Sequence, residues 1–313
     1  MRIEIYNPSF KSQWDDFVRA SKNGTFLFLR DYMDYHSDRF ADNSLVVFDN
    51  KGQLLALLPA NKKDAALISH GGLTYGGFVT DERMKTSVML EIFERALLFL
   101  KENGFAKLIY KTVPHIYHSQ PAEEDLYALF RFYAVLTRRD AASTIVLPNK
   151  IRYQERRNRA VKKAQTNKIT CRISEDYAGY WQILTENLTN VHGVEPVHNL
   201  SEIEMLRALF PGNIKLYAAY LDNEMIAGTV IYETAQVAHA QYIASSSAGR
   251  ALGGLDLLFH CLITEIYNEK SFFDFGIATE NQGTDLNVGL MEFKEGFGGR
   301  AVAYDFYEIN LEL

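Results

Sequence analysis

Residues 272–299 read FFDFGIATENQGTDLNVGLMEFKEGFGG. The apolar run that ends at Gly276 predicts a buried strand, and polar residues gather at the carboxyl end of that strand. A short helical segment follows and carries Lys294 between Phe293 and Phe297. Because α/β sheets hold ligands at the carboxyl ends of their strands, this stretch predicts both the fold class and the position of the site.

The same order of predicted elements occurs twice along the chain. Trp14 lies in a helical pattern after a short strand, and Trp181 lies in a second helical pattern after another short strand. A hairpin, a further strand, an amphipathic helix, a strand, a short helix and a closing strand follow in each half. The sequence therefore predicts two diverged copies of one α/β unit.

The composition is that of a globular protein. The 313 residues are 47% hydrophobic and 23% charged, which suits two ordinary domains and excludes a disordered chain. A signal peptide and an apolar run of the roughly 20 residues that span a membrane are both missing, so we expect a cytoplasmic protein. Cys171 and Cys261 are the only cysteines, and their predicted surroundings indicate buried thiols instead of a disulfide or a zinc site.

A turn of small residues separates the strand at residues 237–245 from a helix that begins near Leu255. Unpaired backbone N–H groups and the dipole at such a helix start attract anions. The spacing G-x-G-x-x-G is absent, so a dinucleotide-binding phosphate loop is excluded. The candidate anion-binding residues are Ser245, Ser246, Arg250, Gly253 and Gly254.

Histidines and their neighbours supply the other candidate groups. His192 follows the Trp181 helix, Glu186 lies on that helix, and the two are the candidate general bases. The histidine spacing does not indicate a metal site. His70 and Tyr75 could alternatively belong to a tight glycine-rich loop, and His239 and Gln241 could simply be half-buried strand residues that share one face. The candidate substrate-binding residues are His70, Tyr75, His198, His239, Gln241 and Asn287.

Residues 149–164 contain no proline or glycine and are rich in arginine and lysine, so they predict a basic helix at the start of the second half. Its cations either pair with carboxylates elsewhere or form a surface for phosphate or nucleic acid. Charge alone favours the first interpretation.

Together these motifs resemble a known family. The Asp274-Phe275-Gly276 strand end and the Phe293–Gly299 segment are similar to the C-terminal signature of FemABX-type proteins and related GNAT-superfamily acyltransferases. The basic helix at residues 150–168 resembles the helix that opens their second domain, and the resemblance covers nearly the whole chain. It implies an α/β (α+β) fold of two tandem GNAT-like domains at residues 1–148 and 149–313. Each would have a mixed, mostly antiparallel sheet flanked by helices.

The resemblance also implies an activity and a donor. Some FemABX proteins attach amino acids from aminoacyl-tRNA to peptidoglycan precursors, and others are acyl-CoA transferases. Lys294 matches the lysine that stabilises the transition state in that family. Arg250 and Gly253 match the acyl-CoA signature R/Q-x-x-G-x-G/A, whereas Leu255 stands where a small residue belongs. We expect acetyl-CoA or another acyl-CoA as co-substrate, with no metal.

We therefore expect N- or O-acyl transfer to an amino sugar or another cell-envelope precursor, bound in a groove between the domains. Direct attack on a thioester is favoured because no Ser-His-Asp set or nucleophile elbow is visible. Transfer from aminoacyl-tRNA is an alternative, which the basic helix favours and the net charge of −6 disfavours. A catalytically silent binding protein with the same fold is the other alternative.

Overall fold

The computed structural model describes residues 1–192 and 195–311, which form two compact units. The first unit comprises Met1–Asp140, Glu280–Asp285 and Ala303–Leu313, and the second comprises Ala141–Thr279 and Leu286–Val302. The strands at Val135–Val146 and Arg300–Asn310 each contribute residues to both units. The units are therefore interleaved along the chain, unlike the continuous domains at residues 1–148 and 149–313 that the sequence predicts.

The elements of the first half follow the predicted order. The helices are α1 (Lys11–Ala20), α2 (Arg30–Met33), α3 (Thr86–Glu102) and α4 (Glu124–Arg131). The strands are β1 (Arg2–Ile5), β2 (Ala41–Asp42), β3 (Leu45–Phe48), β4 (Leu54–Leu58), β5 (Asn61–Lys63), β6 (Ala66–Ile68), β7 (Val79–Thr80), β8 (Lys107–Lys111) and β9 (Val135–Val146).

The second half has the predicted elements in the same order, with further short elements between them. The helices are α5 (Glu155–Thr166), α6 (Tyr177–His192), α7 (Leu200–Leu209), α8 (Ser247–Leu252), α9 (Gly254–Cys261) and α10 (Val288–Glu295). The strands are β10 (Thr170–Ser174), β11 (Ile214–Leu221), β12 (Glu224–Glu233), β13 (Val237–Ser245), β14 (Phe272–Ile277), β15 (Thr279–Glu280), β16 (Asp285–Leu286) and β17 (Arg300–Asn310).

The first unit packs its core around α3. An antiparallel sheet has the order β1-β3-β4-β7, while β8 pairs with β6 in parallel and with residues 306–310 of β17 in antiparallel fashion. The apolar face of α3, with Met89, Phe93 and Leu100, is buried against these strands because its residues recur at helical spacing. The result is a helix-on-sheet core of its own.

The second unit is built on a mostly antiparallel sheet. The strands β10, β11, β12 and β13 form an antiparallel meander, β14 runs parallel to β13, and residues 142–146 of β9 pair antiparallel to β14. The helices α5 and α9 pack on one face of this sheet. The helix α6 packs on the other, where the ring of Tyr180 lies so close to Gly228 that it would overlap a β-carbon at that position.

The segment between β13 and α9 differs from the turn predicted from the sequence. Residues 247–252 form the short helix α8, because the Ser246 hydroxyl caps it by accepting a hydrogen bond from the Gly249 N–H at 3.1 Å. Gly253, with φ of 79°, ends α8 and precedes α9 in the left-handed conformation that glycine tolerates. The helices formed by the described residues are too short or too polar to cross a lipid bilayer.

Candidate active site

Two parallel strands of the second unit separate part-way along their length. The ladder between β13 and β14 ends at His239 and Asp274, although β13 continues to Ser245 and β14 to Ile277. We call residues 240–245 of β13 and 275–277 of β14 the fork. Within the described chain, no third strand completes the ladder between its two arms. Backbone groups on such edges can hydrogen-bond an extended ligand as a strand would.

A β-bulge lies in the β13 arm of the fork. Ala240 pairs with Ile231 and Tyr242 pairs with Val230, so Gln241 is an extra residue with no partner on β12. The bulge brings His239 and Tyr242 onto one face of the strand, whereas strict alternation from the sequence predicts that His239 shares its face with Gln241. The side-chain oxygen of Gln241 is buried without a hydrogen-bond partner among the described residues.

His239 and Asp274 form a hydrogen-bonded pair at the apex of the fork. His239 Nδ1 lies 2.8 Å from Asp274 Oδ2, and Asp274 is fully buried. The other carboxylate oxygen, Oδ1, accepts hydrogen bonds from Thr144 Oγ1 at 2.8 Å and from the Gly276 N–H at 3.1 Å. These contacts stabilise a buried negative charge that would be costly without them.

Lys294 reaches the same strand end from α10. Its Nζ donates hydrogen bonds to the carbonyl oxygens of Gly276, at 3.0 Å, and of Ile277, at 2.7 Å. Burial lowers the pKa of Lys294 to about 8, although the negative charge of Asp274 opposes that effect. The lysine and the histidine–aspartate pair therefore lie at the same end of β14.

The predicted anion-binding residues lie around α8. Ser245 is buried, and its carbonyl oxygen accepts a hydrogen bond from Arg250 Nη1 at 2.7 Å. Arg250 itself is exposed, and Ser246 is occupied as the cap of α8. These residues keep an exposed guanidinium beside the end of β13.

The start of α9 is already covered by α5. A β-carbon at Gly253 would lie 2.7 Å from the carbonyl oxygen of Ala160 on α5, so Gly253 is needed for this close approach. Gly254 opens α9, and Asp256 in its first turn forms an ion pair with Arg157 of α5. The N-terminal turn of α9 thus carries an acidic side chain of its own.

The basic helix α5 has two kinds of cation. Arg156 donates to the backbone carbonyl of Glu292 at 2.6 Å, while Arg157 pairs with Asp256 and lies over the rings of Phe293 and Phe297. Three further cations of α5 are exposed and have no ion-pair partner within the described ranges; they are Arg159, Lys162 and Lys163. Arg152, which precedes the helix, is exposed in the same way. The pairing interpretation therefore holds for Arg156 and Arg157, while a surface for phosphate or nucleic acid stays a prediction for the exposed cations.

Of the two predicted bases on α6, the structure describes the side chain of Glu186 alone. Glu186 is exposed and accepts a hydrogen bond from Gln182 Nε2 at 3.2 Å, one turn earlier on the same helix. His192 is the last residue of α6, and its side chain lies outside the described residues. His198 is buried beside α6. Its Nδ1 contacts the Tyr242 hydroxyl, and its backbone carbonyl accepts a hydrogen bond from Trp181 Nε1 at 3.2 Å.

His70 and Tyr75 are buried within the first unit. His70 packs against the rings of His36 and Phe40, and burial lowers its pKa to about 3. The Tyr75 hydroxyl donates to Thr25 Oγ1 at 2.9 Å. These internal contacts favour a structural role for both residues, as in the tight-loop interpretation. In the second unit, Asn287 caps α10 by accepting a hydrogen bond from the Leu290 N–H at 3.0 Å.

Sequence reasoning missed the partner of His239 and the role of Asp274. A signal was present, because Asp274 is the only charged residue in the apolar run at residues 272–275, and a buried acid requires partners. The neighbouring sequence, however, does not indicate which residues are the partners of Asp274. Among the described residues, no group of three or more histidine, cysteine or acidic side chains converges as a metal site would.

Comparisons with known proteins agree on the fold. Residues 148–295 match the family model described as an acetyltransferase (GNAT) domain. The crystal structure of FemX superposes with a TM-score of 0.68 and 12% identity, covering 99% of this chain and 97% of that one. The structure of L-PGS from Bacillus licheniformis superposes with a TM-score of 0.62 and 12% identity, covering 97% of this chain and 92% of that one.

A tandem GNAT protein from the clavulanic acid biosynthesis pathway gives a TM-score of 0.51 with 12% identity, and covers 99% of both chains. No curated protein matches this sequence. At such low identities the likeness to the solved structures establishes the fold, while the family match concerns the unit that contains the fork.

Proposed function

We propose that this chain, a transferase with the FemABX-like fold of the GNAT superfamily, moves an acyl group from an activated donor to an amine or a hydroxyl. The observation that carries the proposal is the separation of β13 from β14 directly beyond His239 and Asp274. This fork lies inside the segment that matches the acetyltransferase domain. It offers an open edge for the donor and ionisable groups at its apex.

The donor that suits the fork best is acetyl-CoA or another acyl-CoA. Its thioester arm contains amide groups that can pair with the backbone edge of the β13 arm, and this brings the acyl carbonyl to the apex. The anionic end of the donor would lie at Ser245–Gly254, where Arg250 is exposed. Because Asp256 makes the first turn of α9 acidic, we assign phosphate binding chiefly to Arg250 and the backbone around Ser246.

Lys294 is the proposed stabiliser of the negative charge that develops on the carbonyl oxygen. An ammonium group has three donor hydrogens, and two of them are directed at Gly276 and Ile277. The third remains for the oxyanion, in a buried position where a fixed charge is effective. With a pKa of about 8, the group is mostly protonated at neutral pH.

The acceptor would approach on the face of β13 that carries His239 and Tyr242. On this face Trp181 and His198 pack against Tyr242 and hold its ring in place. The resemblance to FemABX-type proteins supports an amino sugar or another cell-envelope precursor as the acceptor. The acceptor site is thus assigned to the α6 side of the second unit.

A thermal-shift panel with acetyl-CoA and longer acyl-CoA compounds tests the donor. A ligand at 100 times its dissociation constant adds about 2.7 kcal/mol to the stability of the folded state, which is a rise of several degrees in Tm. Release of free thiol in the presence of amino-sugar acceptors then measures turnover. Arg250→Ala should weaken donor binding, whereas Arg152→Ala, which removes the same charge from an exposed position, should not.

Transfer from aminoacyl-tRNA is the second candidate, and the exposed cations of α5 and of the residues before it favour this donor. Arg152, Arg159, Lys162 and Lys163 lack ion-pair partners in the described parts of the chain, and such groups release counterions when they contact phosphates. If no acyl-CoA raises Tm and tRNA binds with a steep dependence on salt concentration, this candidate replaces the first. Arg152→Ala should then weaken binding, and Arg250→Ala should matter less.

A further inference from the structure

We propose that His239 is the general base that accepts the proton of the acceptor during acyl transfer, and that Asp274 is its positioning residue. This inference rests on the proposed function, because it assigns the proton-accepting group of the same site. Sequence reasoning assigned that role to His192 and Glu186. Glu186 is exposed on α6 and hydrogen-bonded to Gln182, with nothing to hold it at the fork.

The position of His239 follows from the register of the two strands. His239 and Asp274 are the last partners in the parallel ladder, so they lie where the arms of the fork meet. A donor extended along the fork would bring its reactive end to this apex. A base must lie within about 3 Å of the proton it takes, and among the described residues His239 is the histidine at that point.

The hydrogen bonds of Asp274 determine which ring nitrogen carries the proton. Asp274 Oδ1 accepts from Thr144 Oγ1 and from the Gly276 N–H, so the carboxylate form is favoured. Its Oδ2 faces His239 Nδ1 at 2.8 Å, and a carboxylate can only accept. Nδ1 is therefore the protonated nitrogen of the neutral ring, and the lone pair is on Nε2.

Gly276 keeps space open beside that lone pair. A β-carbon at Gly276 would lie 3.1 Å from His239 Cε1 and 3.9 Å from Nε2. The absence of a side chain, at a φ of 71° that other residues avoid, leaves the edge of the ring uncovered on that side. No residue in the described ranges makes a hydrogen bond with Nε2. The nitrogen that holds the lone pair is thus the one left for a substrate.

The acceptor proton and the leaving thiolate are both accounted for without a further reagent. The lone pair of a neutral amine or a hydroxyl attacks the thioester carbonyl carbon, the new C–N or C–O bond forms, and the acceptor proton passes to Nε2. Asp274 stabilises the imidazolium, and Lys294 stabilises the oxyanion. When the carbonyl re-forms, the C–S bond breaks and the thiolate takes the proton from Nε2. Free thiol leaves, and His239 is neutral again.

Several ionisable groups face His239. Asp274 faces it from β14, Lys294 contacts the adjacent Gly276 from α10, and Tyr232 opposes it on β12. Tyr242 shares its face on β13. A base in its protonated form has no lone pair to offer, so turnover should fall on the acid side of the pH profile.

His239→Gln and Asp274→Asn, compared with His115→Gln, test the assignment. His115 is an exposed histidine of the first unit and serves as a matched control. For His239→Gln we expect kcat to fall about 10²- to 10⁴-fold with the donor-induced rise in Tm retained, and the acid limb of the pH profile to disappear. Added imidazole should restore part of the turnover in His239→Gly.

Asp274→Asn separates positioning from a merely structural role. An amide no longer stabilises the imidazolium, so the acid limb of the remaining activity should move to lower pH, which loss of packing alone would not cause. If Asp274→Asn does not fold, Thr144→Val is the substitute: it removes a hydrogen bond that offsets part of the Asp274 charge, so the acid limb should move slightly in the opposite direction, to higher pH. His239→Asn, whose amide N–H can replace Nδ1, serves the same purpose if His239→Gln does not fold.

A folded His239→Gln variant with kcat within twofold of the wild type and an unchanged acid limb overturns the base assignment and leaves the proposed function intact. A wild-type protein that binds neither acyl-CoA nor tRNA and transfers no acyl group overturns the proposed function, and the base assignment with it.

Discussion

Lys294 Nζ lies 3.0 Å from the carbonyl oxygen of Gly276, at the carboxyl end of β14. The same ammonium donates to Ile277, and only 3% of the residue is exposed. A cation so deeply buried is held by backbone dipoles and by the nearby charge of Asp274, without a direct ion pair among the described residues. Through these contacts the backbone at the end of β14 fixes the position of the Lys294 ammonium group.

Lys294→Met should remove a pH dependence from the stability of the protein. Burial lowers the pKa of Lys294 to about 8, from 10.5 in an unfolded chain. Between these values the unfolded state binds a proton that the folded state does not, so the wild type gains stability as the pH rises. The gain is on the order of 3 kcal/mol over the whole window. Urea unfolding at pH 7.5 and pH 10 measures it.

Lys51→Met, at an exposed position, is the control for that experiment and should still gain stability as the pH rises. In a turnover assay, Lys294→Met should lose about 10²- to 10³-fold in kcat with little change in donor affinity, because it removes a donor to the oxyanion. Full turnover in a well-folded variant would contradict this role, and backbone N–H groups near Ser245 would then be the candidates for the oxyanion contact.

Gly276→Ala should cost more stability than Gly104→Ala. Both glycines have positive φ, 71° and 77°, so both variants carry the left-handed strain of about 1–2 kcal/mol. Only at Gly276 would the new methyl group also lie 3.1 Å from His239 Cε1, whereas nothing lies within 4 Å at Gly104. We expect roughly 1 kcal/mol of additional loss in urea unfolding. Equal losses would show that His239 does not approach this glycine closely.

Asp256→Asn should destabilise the second unit by about 2–4 kcal/mol, because it leaves the largely buried Arg157 without its carboxylate. Burial raises the pKa of Asp256, an effect that Arg157 opposes. The double variant Arg157→Met/Asp256→Leu should recover most of the loss, since no charge is then left unpaired. A double-mutant cycle by urea unfolding measures the coupling, and additive losses from the single variants would contradict it.

Trp14→Phe and Trp181→Phe should each destabilise the protein by about 1–3 kcal/mol, because each removes the donor from a buried carbonyl. Trp14 Nε1 donates to the Phe28 carbonyl at 2.7 Å, and Trp181 Nε1 donates to the His198 carbonyl at 3.2 Å. Each variant retains one tryptophan, so fluorescence reports unfolding in both. Only Trp181→Phe should also lower kcat/KM for the acceptor; an equal effect of Trp14→Phe would contradict the acceptor assignment.

Much of the fold follows from local patterns. The two tryptophan helices, the hairpins and the element order of both halves follow from helical and strand spacing and from turn residues, which act over a few positions. The basic helix was expected at residues 150–168 and spans Glu155–Thr166. The short helix α8 was missed because a single serine cap, at Ser246, decides between a turn and a helix.

The site depended on contacts between distant residues. His239 and Asp274 are 35 positions apart, and only the parallel register of β13 and β14 brings them together. The bulge at Gln241 then changes which residues share a face, and it has no clear signature in the sequence.

The sequence by itself determined the order of the elements, the repeat and the stretch that ends at Lys294, because periodicity and turn chemistry are local properties. Only the tertiary structure decided that Asp274 orients His239, that Arg157 pairs with Asp256, and that His70 and Tyr75 are buried. Burial and pairing depend on strand register and helix packing, which join residues far apart in the chain.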